Sequence, residues 1–263
     1  MEGKLKMINF DLIDWDNTHV KLAVYLLYGT SFIVMFLVMA LWKHRMSHIE
    51  LLADFKYLAI FALLHGLTEY IEIFRILGWQ PSWIFDLIKL LLATSSFTAL
   101  LAFGVNVVSA GVEEYRWLRG MPFGALWMYV WMLIFIGIDF TNNNAGINYI
   151  IADTAQRYTL GFLGALISAY SFFDISTKIK IIIGEKEQRR FIYVALCFAL
   201  YTVFGGLLGS DVRVLGIPVV VYRTLTAVLI TLSIIGVFQL FKLKGSSGMK
   251  KTDDFYFLHK ELK

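Results

Sequence analysis

Seven apolar runs, each long enough to cross the hydrocarbon core of a bilayer, take up most of this chain. They fall at roughly 21–42, 52–77, 82–109, 122–140, 156–176, 190–209 and 217–242, and about 20 apolar residues suffice for one helical span. In lipid, every backbone N–H and C=O must find its partner within the segment, so runs of this length read as helices. The sequence predicts an all-α, polytopic membrane protein with seven transmembrane helices. Residues 1–20 form an extracytoplasmic segment, 21–244 the helical domain and 245–263 a flexible cytoplasmic tail. Pro81, Pro122 and Pro218 each stand near the start of a run, where a missing N–H costs little.

Basic residues set the expected orientation. Lys43 and Arg45 follow the first run, Arg116 and Arg119 the third, and Lys178, Lys180, Lys186, Arg189 and Arg190 the fifth, while the tail adds six lysines from Lys242 to Lys263. The alternate connections carry only Arg75, Arg157 and Arg213. The positive-inside rule then places the N-terminus outside and the C-terminus in the cytoplasm. Trp15, Trp42, Trp79, Trp83, Trp117 and Tyr222 fall where an aromatic belt would lie. The net charge of +4 is explained by these loop positions, and no nucleic-acid-binding pattern is present.

Other classes are excluded by what is missing. A single cysteine, Cys197, provides no disulfide framework and no thiolate metal cluster. "MINFDLIDWDNTHV" at 7–20 has aspartates where a signal peptide has its apolar core, so no cleaved signal is expected. After "GSSG" at 245–248, Phe255, Leu258 and Leu262 share one helical face, which suits either a short surface helix or a polar, partly disordered end.

The chemistry is concentrated in "LLHGLTEYIEIF" at 63–74. His65, Glu69 and Glu72 stand at i, i+4 and i+7, on one stripe of the second helix, at middle and outer membrane depth. A charged group at the bilayer centre costs about 2.5–3.5 kcal/mol on insertion scales, so the stripe should face the bundle interior or a wet cavity. Asp86 and Lys89 at the start of helix three, Asp139 at the end of helix four, Gln156 and Arg157 at the start of helix five, and Arg223 two turns into helix seven reach the same level. This set could neutralise itself in ion pairs, hold ordered water, or line a ligand cavity that opens outward.

Sharper chemistries find little support. The last helix has no lysine before Lys242 for a retinal Schiff base, and His65 is the sole histidine well inside a span, so neither retinal nor bis-histidine haem is expected. His65 with Glu69 could hold a divalent metal, but the spacing supplies no second histidine. Glycine-rich "GGLLGSD" at 205–211 has no histidine placed to activate Ser210. Gly161, Gly164 and Ala165, like Gly205, Gly206 and Gly209, are better read as sites of close helix packing.

Three segments together carry a family resemblance: "LLHGLTEYIEIF" at 63–74, "RYTLGFLGAL" at 157–166 and "GIPVVVYRTLTA" at 216–227. They resemble the multi-span N-terminal sensor region of some bacterial membrane-bound histidine kinases. The matching positions are His65, Gly66, Leu67, Glu69 and Tyr70; Arg157, Tyr158, Gly161, Phe162, Gly164, Ala165 and Leu166; and Gly216, Pro218 and Arg223. Leu163 stands where that pattern has a proline, so helix five is expected to lack the usual kink.

The resemblance implies a sensory module in the inner (cytoplasmic) membrane, embedded in the lipid bilayer. Its output would pass to a cytoplasmic signalling partner or to a kinase domain beyond Lys263, with a homodimer as a further assembly. His65, Glu69, Glu72, Asp86, Asp139, Arg157, Tyr158 and Arg223 are the candidate ligand-binding residues. His65 and Glu69 would bind or sense protonation, and the two arginines would pair with an acidic ligand group or with Glu69 and Glu72. Two alternatives use the same residues: a proton-coupled transporter, and a metal-binding membrane enzyme or subunit of a larger complex.

Overall fold

Long apolar segments dictate helices, and the computed structural model builds seven that are long and apolar enough to cross a membrane. It describes residues 14–43, 54–79, 83–110, 113–139, 146–147, 149–182, 184–209 and 212–246. Helix α1 covers Thr18–Lys43, α2 Phe55–Ile76 and α3 Trp83–Ala110. A 3-10 helix at Glu113–Gly120 leads into α4, Met121–Met132, which continues as a π-helical turn through Leu133–Gly137. Strands β1, Ile138–Asp139, and β2, Gly146–Ile147, pair antiparallel. The fifth span is composite: α5, Tyr149–Gln156, a π-helical turn at Arg157–Gly161, and α6, Phe162–Ile182. The sixth joins α7, Glu185–Tyr201, to a π-helical segment at Thr202–Leu207. A two-residue hairpin, β3 at Arg213–Val214 and β4 at Ile217–Pro218, precedes α8, Val219–Ser246.

Packing orders the helices as a ring, α1 to α2, α3, α6, α7, α8 and back to α1. Helix α4 lies outside it, against α3, and leaves Phe123, Trp127, Trp131 and Phe135 exposed as an apolar face. Close approach explains the small residues. At Gly206, an added Cβ would sit 2.8 Å from the Phe162 Cα, so the two π-helical spans touch backbone to backbone. Gly66 faces the Gly29 carbonyl in the same way between α1 and α2.

Several sequence boundaries need correction. The fourth run gives up its helix at Gly137, before the expected end at 140, and the fifth begins at Tyr149, about two turns before 156. Helix α1 starts at Thr18, inside the segment assigned to 1–20, and α8 runs on to Ser246, through the first half of the "GSSG" break. The fifth span is irregular without a proline, because a π-helical turn interrupts it just before Leu163. Pro81, Ser210 and the tail from 247 onward, including the Phe255, Leu258 and Leu262 face, lie outside the described residues.

Candidate functional site

Side chains from α1, α2, α3, α5, the sixth span and α8 enclose a cavity of about 600 Å³ at the end of the bundle where α1 begins. Six of the eight candidate residues, His65, Glu69, Glu72, Arg157, Tyr158 and Arg223, line it. Asp86 stands behind the wall, paired with Arg75. Asp139 falls in β1 instead of a helix end, and its side chain lies outside the described residues.

The floor is built on His65, only 5% exposed. Ser96 donates to the Ala93 carbonyl at 2.7 Å, so its oxygen is left to accept from His65 Nδ1, 3.2 Å away. That assignment makes Nε2 the acceptor, and Tyr201 donates to it at 2.7 Å. The Tyr28 hydroxyl lies 3.1 Å from the Tyr201 oxygen and 3.3 Å from Nε2. One imidazole thus ties together α1, α2, α3 and the end of α7. With both ring nitrogens engaged, the metal reading of His65 and Glu69 lacks further ligands; among the described residues, no group of three or more His, Cys, Asp or Glu side chains is arranged for an ion.

Ion pairs form the walls. Glu72 contacts Lys89 and lies 3.5 Å from Arg75, which also holds Asp86, so a ladder of four charges joins α2 to α3. The Tyr149 ring lies 5.4 Å from the Arg75 guanidinium and 5.5 Å from the Lys89 ammonium, within cation–π range. Asp153 accepts from Arg157 Nε at 2.8 Å and from Gln156 at 3.0 Å, and Gln156 accepts in turn from Thr94 of α3 at 2.7 Å. Arg223 donates through Nε to the Phe204 carbonyl at 2.7 Å and through its terminal nitrogen to that of Leu208, thereby meeting the carbonyls freed where the π-helical segment ends. Glu69 differs from its neighbours: among the described residues its carboxylate has one ionic neighbour, His65 Nε2, at 3.7 Å.

A second cavity of about 520 Å³ adjoins the first and shares Tyr25, Glu72 and Arg75 with it. At its rim Arg213 donates to Asp16 at 2.7 Å, and Lys21 lies 3.3 Å from the same carboxylate. The Arg213 hydrogen bond, helped by Lys21, holds Asp16 below the usual carboxylate range.

Sequence reasoning missed Tyr149 and Asp153 because the fifth helix was begun at 156; the i, i+4 pair of Asp153 and Arg157 was a legible signal. Tyr28 and Tyr201 were also missed. Their clue was a phenolic hydroxyl at mid-depth in an apolar run, which requires a buried partner. Comparisons with protein-family models, curated proteins and solved structures return no match, so none of them links the chain to sensor histidine kinases. Fold and site together define a seven-span membrane protein with an ion-lined cavity at one end.

Proposed function

We propose that the chain is a membrane-embedded receptor module that binds a small polar ligand in this cavity and reports occupancy at the other end of α8. The observation that carries the reading is the cavity lined by Glu69, Lys89, Arg157 and Arg223 at one end of the bundle, in a volume typical of small-molecule sites. In this reading the cavity faces outward and the far end is cytoplasmic, as the basic loops suggest. Arg223 is the lever. It is the fifth residue of α8, and its partners are the Phe204 and Leu208 carbonyls at the end of the sixth span. A ligand that draws on the Arg223 charge would disturb that joint and shift α8, a rod of about 42 Å. Such a shift requires unequal binding to the two helix arrangements.

The transporter reading is less well supported, because below His65 the interior is filled by Phe61, Phe103, Phe172 and Phe198, all fully buried. The test uses nitroxides at Arg189→Cys and Gln239→Cys in a Cys197→Ser background, with a ligand found by thermal-shift screening in nanodiscs. The receptor reading expects the label distance to change when ligand binds. An unchanged distance, or flux of the ligand into sealed vesicles, contradicts it.

A further inference from the structure

We infer that the cavity takes a small oxyanion, a carboxylate or a tetrahedral anion, and that Glu69 takes up one proton as the anion enters. The inference rests on the receptor reading only for the location of the site.

The charge arrangement supports it. Arg75, Lys89, Arg157 and Arg223 line the cavity, against the carboxylates of Glu69, Glu72 and Asp153. Glu72 is fixed in contact with Lys89, and Asp153 with Arg157 and Gln156. Glu69 touches no cation among the described residues, yet it shares the enclosed space with Lys89, Arg157 and Arg223. It is therefore a counter-ion held at a distance. Partly withdrawn from water, such charges interact more strongly than at a surface. Lys89 is matched by Glu72, Arg157 by Asp153 and Arg75 by Asp86. The lining as a whole carries four cations against three carboxylates, an excess that an organic cation would add to and an oxyanion would offset. An oxyanion meets guanidinium and ammonium groups suited to its geometry, and among the lining carboxylates Glu69 is the opponent not already held in contact with a cation.

A second anion beside Glu69 is unfavourable unless one of the two is neutralised, and a proton on Glu69 turns that opponent into a hydrogen-bond donor. The competing groups are accounted for. Tyr25 and Tyr28 of α1, His65, Glu72 and Arg75 of α2, and Lys89 of α3 line the cavity with Glu69. Tyr149, Asp153, Arg157 and Tyr158 line it from the fifth span, Tyr201 from the sixth and Arg223 from α8. Glu72 and Asp153 are held by their cations, and His65 already has its hydrogen bonds from Tyr201 and to Ser96. Glu69 is the acceptor that remains. Because the bound anion favours the protonated carboxyl, affinity rises as pH falls through the range in which Glu69 ionises in the free protein.

The experiment is calorimetric titration of the full chain in nanodiscs with acetate, benzoate and sulfate, at about pH 6 and about pH 8, where all three probes stay ionised. Two buffers of different ionisation enthalpy count the protons. At least one probe should bind with uptake of one proton, and its affinity should rise on acidification by up to about tenfold per pH unit. Binding of the carboxylates alone assigns a carboxylate ligand, and binding of sulfate a tetrahedral one. Glu69→Gln should bind as well or better with no proton uptake; if that variant does not fold, the wild-type proton count decides. Failure of all three probes to bind, binding without proton uptake, or uptake that persists in Glu69→Gln overturns the inference. Proton-linked binding with no change in the 189–239 distance would retain it and sink the receptor reading instead.

Discussion

Where α1 begins, the bundle leaves about 600 Å³ open and lines it with acids and bases; toward the opposite end, Phe55, Phe103, Phe172, Phe198 and Phe238 close the same helices around aromatic contacts. Phe172 and Phe198 stack at 5.5 Å with their planes 11° apart, and Phe55 meets Phe103, Phe172 and Phe238 edge-on. Polar groups persist on the closed side as hydroxyls bonded to carbonyls, such as Ser171 to Gly104 and Thr231 to Ser31, and as a few partnered charges, such as Arg190 on the Gly236 carbonyl and Lys178 on Asp174. The difference is one of electrostatic cost. Charges withdrawn from water persist only with partners, and the open end supplies them across helices, whereas the closed end hardly needs them. His65 marks the boundary: its nitrogens face the polar network, and its ring stacks on Phe61 at 5.2 Å.

Substitutions should separate the two regions. The largest effect is expected at the closed end, where Phe172→Ala removes a fully buried ring from the stack and should cost about 3–5 kcal/mol of stability, read by unfolding in detergent. Gly206→Ala pushes a methyl group against the Phe162 backbone and should cost about 1–3 kcal/mol while prising apart the π-helical segments that border the cavity. Tyr201→Phe deletes the shortest hydrogen bond to His65, but Tyr28 stands ready at 3.3 Å, so a loss of about 1 kcal/mol is expected. A loss as large as that of Phe172→Ala would mean that the floor, rather than the aromatic end, organises the bundle.

The smallest effect belongs to the rim. Asp16 has a depressed folded-state pKa, so its contribution is present above the ordinary carboxylate value and is lost as pH falls through the depressed one. Asp16→Asn should remove that slight acid dependence, and high salt should mimic it; the pH profile of thermal unfolding is the check.

Much of this contrast was legible in the sequence. Run length gave the spans, and the 3.6-residue period put His65, Glu69 and Glu72 on one face, where six of the eight chosen residues meet in a cavity. What could not be read was pairing across helices. Lys89 reaches Glu72 and Thr94 reaches Gln156 across 17 and 62 residues, and no local pattern specifies either. The π-helical turns were equally hidden, because an extra residue in a helical turn leaves hydropathy unchanged. The peripheral place of α4 was hidden too, since a span facing lipid on most sides is as apolar as one inside the ring.

The central claim, an ion-lined cavity reached by water at one end and a dry aromatic seal at the other, is tested most directly by thiol accessibility. In a Cys197→Ser background, Ala93→Cys on the cavity wall and Ile234→Cys in the sealed half would each be treated with a membrane-impermeant methanethiosulfonate reagent. The account expects modification at 93, from the side on which α1 begins, and none at 234 from either side. An inert 93, or a 234 that reacts as readily, would contradict it.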